Sequence, residues 1–206
     1  MKRLLAKLIS FFSAGGHVVA AKPPDQAPVP DMALPEIDAV MTLAQFWEII
    51  RVVHEASGGD PDIKEAALRK ALESFPATQV AHFAWHFDAR EAEAYRWDLW
   101  AAAYIIHGGC SDDSFQDFRA SLICWGRACF EGAMADPDSL AAIEFDDVEE
   151  TLFFEGYQYL PRKIYEQKTG GDLTPSGVEH PSDPIGDEWA EEDLPKVCPK
   201  LWAKYD

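Results

Sequence analysis

The sequence predicts an all-α fold, one irregular domain of about six to eight helices. Apolar residues recur at i, i+3, i+4 and i+7 along most of the chain from Leu43 to Gln167. No window holds a sustained period-two alternation, so no strand is expected. Capping residues, prolines and glycine pairs punctuate the stripes where helices should start and stop.

Taken in order, Thr42 and Gln45 form a capping-box signature. They open a helix to about Ala56 with the stripe Leu43, Phe46, Trp47, Ile50 and Val53. Ser57-Gly58-Gly59 ends it, and Asp60-Pro61 starts a second helix carrying Ile63, Ala67, Leu68, Ala71 and Leu72. Pro76 opens a third, with Val80, Phe83, Ala84 and Phe87 on its apolar side. A fourth is expected from about Glu91 to His107, stopped by Gly108-Gly109. Ser111 caps a fifth, whose first turn holds Asp112 and Asp113 and whose stripe reaches Phe130. Asp136-Pro137 begins a short sixth, and a seventh is expected over Val148 to Gln167, kinked near Pro161. From Gly170 to Asp187 the chain reads as loop, with a short closing helix near Leu201.

Ahead of this domain, residues 1–21 form a basic amphipathic or signal-like segment. Lys2, Arg3 and Lys7 accompany Leu4, Leu5, Leu8, Ile9 and Phe12. Membrane contact, if the chain makes any, is expected through residues 1–13. Residues 22–40 hold Pro23, Pro24, Pro28, Pro30 and Pro35 and read as an extended linker, so the folded domain is expected over 41–206.

Charge is the strongest compositional signal. The chain carries 36 acids against 18 Lys and Arg, a formal net charge of −18. Residues 1–30 carry four bases and one acid, or +3, which leaves −21 on residues 31–206. An acidic body repels phosphate backbones, so direct nucleic-acid binding is not expected, whereas a basic protein partner is. Cys110, Cys124, Cys129 and Cys198 contain no CxxC pair and read as reduced thiols of a cytoplasmic protein. Trp47, Trp85, Trp97, Trp100 and Trp125 fall in expected helices and read as core.

The most distinctive polar stretch surrounds the Gly108-Gly109 turn. Asp98 lies among Trp97, Leu99, Trp100 and three alanines, and a buried carboxylate needs a partner. Arg119 is the natural candidate if the next helix folds back across the turn. Asp112, Asp113 and Arg127 would complete a polar cluster, either a small catalytic or metal-dependent pocket or an ion-paired network that fixes helix packing. His82 and His86, four residues apart in HFAWH, are weak zinc candidates. Phe83 stands where a metalloprotease helix has its glutamate, and nothing in the sequence selects His54 or Glu91 as a third ligand. No Walker, dinucleotide or nucleophile-elbow motif occurs, so no cofactor is expected.

At these residues the chain resembles a bacterial family known as domain of unknown function 4240. The likeness rests on Phe46-Trp47, the run Leu99 to Ile106, Gly108-Gly109, Ser111-Asp112-Asp113, Phe115, Asp117-Phe118-Arg119 and Leu122-Ile123. It continues through Gly126-Arg127, Asp136 to Leu140, and Pro199-Lys200-Leu201, covering about residues 41–205. Ala120-Ser121 departs from the pattern, which would place a Trp before the Leu-Ile pair. The resemblance implies a soluble bacterial protein whose domain starts near Met41, and it implies no activity.

Two readings of function follow. The favoured one is a non-catalytic acidic protein-binding module of the immunity or antitoxin kind. The alternative is an enzyme or metal-dependent domain built on the Asp/Arg cluster.

Overall fold

The expected starts at Thr42, Asp60 and Ser111 are built from the residues that signalled them, whereas Asp136-Pro137 opens a 3-10 turn in place of the expected short helix. The computed structural model describes residues 28–37, 39–145 and 147–206. The segment 1–21 and the first residues of the linker lie outside the described residues. Thr42 accepts from the Gln45 amide at 3.2 Å while the Gln45 side chain accepts from the Thr42 amide at 2.9 Å, closing the capping box on α1 (Leu43–Ser57). Asp60 accepts from the Ile63 amide at 2.9 Å to begin α2 (Pro61–Ser74). α3 (Ala77–Glu93) and α4 (Trp97–His107) follow, and Ser111 accepts from the Ser114 amide at 3.2 Å to cap α5 (Asp112–Cys124). The remainder is α6 (Arg127–Ala135), α7 (Val148–Leu152), α8 (Leu160–Thr169), α9 (Leu194–Val197) and α10 (Pro199–Tyr205). Short 3-10 turns occupy Pro137–Ala142, Tyr157–Tyr159 and Glu191–Asp193.

Among the described residues the fold is all-helical, but in more pieces than the stripes suggest. The expected fourth helix does not start at Glu91. α3 runs on to Glu93, and α4 begins afresh at Trp97 after Arg96 turns extended. The expected fifth helix stops at Cys124 because Gly126 takes φ 102°, which places Phe130 on α6. The expected seventh helix is split by a turn at Gly156, and Pro161 sits in the first turn of α8 rather than at a kink.

The core is aromatic. Phe46, Phe83, Phe115 and Phe118 are fully buried, and Phe46 packs 4.9 Å from Phe83. α1 lies on α2, α3 lies on α5 and α8, and α10 closes over α4. Trp85 departs from the core expectation, being 46% exposed.

Residues 28–37 are not a free linker. Val29, Met32, Leu34 and Ile37 pack against the core. Lys70 donates to the Pro30 carbonyl at 3.3 Å and Gln45 to the Glu36 carbonyl at 3.0 Å. An extended strap with its apolar side chains turned inward needs such donors for carbonyls that no helix satisfies.

Candidate functional site

The expected Asp98–Arg119 pair does not form. Asp98 is gripped by Arg96 instead, Nε to Oδ1 at 3.0 Å and Nη2 to Oδ2 at 2.5 Å. Asp98 is only partly buried, with 38% of its side chain exposed. Arg96 also donates from Nη1 to the Met134 carbonyl at 3.1 Å. Arg96 is available for this because it lies in the break between α3 and α4, a break the sequence does not signal.

Arg119 is buried, and its partners are main-chain oxygens and rings. It donates from Nη1 to the Glu91 carbonyl at 2.9 Å and from Nε to the Phe115 carbonyl at 3.3 Å. Its guanidinium carbon lies 4.8 Å from the Tyr95 ring centre and 5.0 Å from that of Phe115. Glu91 stands in the last turn of α3, whose carbonyls lack helical partners, so a cation from α5 closes that helix end. Asp112 accepts from the Tyr95 hydroxyl at 3.3 Å on the surface, and Asp113 is exposed. Arg127 belongs to α6 and pairs with Glu131 at 2.8 Å, both half-exposed. Asp98 and Arg127 therefore pair away from the turn, whereas Asp112 and Arg119 both meet Tyr95, one at its hydroxyl and the other over its ring.

The two histidines have structural work. The Met41 amide donates to His82 Nδ1 at 3.3 Å, and the Met41 carbonyl accepts from His86 Nε2 at 2.9 Å. Together they clamp the residue where the strap enters α1. Among the described residues no group of three His, Cys, Asp or Glu side chains is placed to hold a metal ion.

What the turn region does build is an acidic and aromatic face. Trp97 stacks on Trp100 at 5.4 Å, Trp100 stacks on Phe115 at 4.9 Å, and Trp189 meets Trp97 edge-on at 6.1 Å. The Trp189 indole donates to the Trp97 carbonyl at 2.7 Å, and the Tyr104 hydroxyl donates to Glu191. These contacts tie the segment before α9 onto α4. Residues 169–195 contain eight acids and no Lys or Arg. Asp183, Asp187, Glu188, Glu191 and Glu192 are all exposed.

Buried ionisable groups outside the expected cluster include Glu91 and Lys64. Glu91 is 6% exposed, and its Oε1 is buried with no hydrogen-bond partner among the described residues. Burial pushes its carboxyl up to about 8, with Arg119 opposing and Asp88 and Asp117 adding to the rise. Lys64 is 1% exposed on α2, with its ammonium 5.2 Å from the Trp125 ring centre. Burial pushes its pKa below the ordinary value, with Cys124, Cys129 and Asp60 opposing the fall. Its place between Ile63 and the Ala67-Leu68 stripe was a usable signal, because that stripe leaves Lys64 on the inner face. Glu91 gave no such signal, since it sits in an acid-rich run that reads as solvated surface.

Among the described residues no helix is long and apolar enough to cross a membrane. No curated protein and no solved structure matches the chain. A family model described as protein of unknown function (DUF4240) matches residues 41–167. The match ends short of the expected 205 and leaves α9 and α10 beyond it. Its span includes the capping box, the Gly108-Gly109 turn and Arg119, and on that match the chain belongs to the DUF4240 family of proteins of unknown function.

Proposed function

We propose that this domain is a non-catalytic acidic module that captures a basic protein partner, in the manner of immunity or antitoxin proteins. One observation carries the reading. Within the stretch 169–195, which holds eight acids and no Lys or Arg, Trp189 and Glu191 fasten the segment before α9 to the aromatic face of α4. Exposed carboxylates around partly exposed aromatic rings suit lysine and arginine side chains, which pair with the former and stack on the latter. Such a surface speeds association at low salt and loses its hold as salt rises. It is unsuited to nucleic acid for the same electrostatic reason.

The enzymatic alternative draws less support, because Asp98 pairs with Arg96 and Arg119 donates to main-chain carbonyls, which leaves only Asp112 near Arg119, at Tyr95. The test is a pull-down from the native host with the chain and with a variant carrying Asp187→Asn, Glu188→Gln, Glu191→Gln and Glu192→Gln. A basic protein should be retained at about 50 mM salt and released by about 500 mM, and the variant should not retain it. Equal recovery by both chains, or no basic protein at all, would remove the proposal.

A further inference from the structure

A cavity of about 280 Å³ opens between α3, α5, α8 and the loop that follows α8. Phe87, Glu91 and Pro161 form its buried wall, and Tyr159, Arg162 and His180 form its exposed rim. We infer that this cavity binds a protonated primary amine on a short alkyl chain, with Glu91 as its counter-charge. The inference is independent of the acidic face on α4.

The chemistry of the wall selects the ligand. Glu91 is more than nine-tenths buried and lines the cavity, and its carboxyl carries a buried Oε1 that has no hydrogen-bond partner among the described residues. A buried polar atom without a partner costs free energy that a ligand donor recovers. Asp88 lines the same space, and Asp117 stands behind it, accepting from Gln158 at 2.6 Å. The nearest buried cation, Arg119, is committed to two carbonyls and two rings. Of the lining charges Glu91 and Asp88 favour an ammonium, Arg162 stands out on the exposed rim, and the Gln116 side-chain amide offers an acceptor. Phe87 and Pro161 offer an apolar wall to a few methylenes, and the volume suits a ligand of that size.

Binding is coupled to a proton. Burial holds Glu91 neutral near pH 7, so an arriving ammonium displaces its proton. The charged groups facing Glu91 are Asp88 on its own helix, Asp117 and Arg119 on α5, Arg162 on α8 and His180 on the loop. Affinity therefore rises with pH through the window below about 8.

A free amine and a lysine side chain of a polypeptide present the same group. The full chain is titrated by NMR with n-butylammonium chloride, with acetyl-Gly-Lys-Gly-amide, and with tetramethylammonium chloride, which has no N–H to donate. Saturable shifts of the Gln116 and Gln158 side-chain amides are expected with butylammonium, none with tetramethylammonium, and tighter binding at pH 8 than at pH 6. If the peptide binds at least as well, the source is a lysine; if only butylammonium binds, it is a free amine. Glu91→Gln should weaken binding roughly tenfold or more. It should leave salt-sensitive partner capture by the α4 face unchanged, so the two proposals fail separately. Should Glu91→Gln not fold, Asp88→Asn replaces it, with a several-fold loss expected. No saturation by either amine, equal response to tetramethylammonium, or unaltered affinity in the folded variant would overturn the assignment.

Discussion

Arg119 on α5 donates to the main-chain carbonyl of Glu91 at 2.9 Å, twenty-eight residues away, and so joins the end of α3 to the core. The two side chains do not hydrogen-bond to each other, yet each sets the other's surroundings. The guanidinium is held between Tyr95 and Phe115, and the Glu91 carboxyl is left buried and unpartnered.

Arg119→Met should destabilise the fold by about 2–4 kcal/mol, because it leaves the Glu91 and Phe115 carbonyls without their donor. Asp98→Asn should cost under about 1 kcal/mol, since its partner Arg96 is partly exposed and solvent screens the pair. Urea denaturation of both variants checks the contrast. Equal losses would restore the Asp98–Arg119 pairing expected from sequence.

The stability of Glu91→Gln relative to the native chain should depend on pH with a definite sign. In the unfolded chain the carboxyl ionises near its ordinary 4.5, and in the folded chain only near 8. Between these values the folded state holds the extra proton, so native stability falls as pH rises, and it levels off above both. The glutamine variant lacks this loss. Its advantage should grow from pH 4.5 to 8 and then stay constant in urea titrations at stepped pH.

Lys64→Met should stabilise the protein at pH 7 by about 1–4 kcal/mol, as expected when a desolvated buried charge gives way to an apolar side chain. Burial lowers the lysine's pKa, so the unfolded chain binds its proton more tightly. Native stability then rises with pH through the window below the ordinary 10.5, and the methionine variant should lose that slope. His54, pushed down to about 4 by burial with Lys64 adding to the fall, acts in the same direction at lower pH. Its contribution is complete above 6.5 and is lost as pH drops through 4. Thermal melts from pH 4 to 10 for the native chain and Lys64→Met separate the two.

Asp138→Ala should loosen the C-terminus. The buried Asp138 carboxylate accepts from the Lys200 amide at 2.9 Å and the Leu201 amide at 2.9 Å, capping α10 from more than sixty residues away. Losing these charge-assisted bonds should cost about 1–3 kcal/mol. Limited proteolysis should then cut first within residues 194–206. Resistance equal to the native chain would mean that Leu201 packing alone holds the helix.

The cap residues were legible because each acts within four residues of itself. Thr42 with Gln45, Asp60, Ser111 and the glycines at 58 and 108 all lie where the chain needs them. The break between α3 and α4 was not legible. The stretch Glu91 to Asp98 contains no Gly or Pro and reads as continuous helix. It is interrupted by Ile185, which donates to the Tyr95 carbonyl at 2.9 Å and accepts from the Trp97 amide at 3.0 Å. Those two bonds come from a loop almost ninety residues downstream and replace helical ones.

The expected Asp98–Arg119 pairing turns on the same point. A fold-back at Gly108-Gly109 makes Arg119 the expected partner of Asp98, but the break before α4 brings Arg96 beside Asp98, and Arg119 donates to the Glu91 carbonyl instead. The sequence by itself determined the helical class, the caps, the acid excess and the family, since periodicity, local hydrogen bonding and composition act over short range or over none. Only the tertiary structure decided where α3 stops and which cation meets which oxygen. A backbone group takes whichever partner leaves fewest polar atoms unsatisfied, and distant parts of the chain become candidates only once packed.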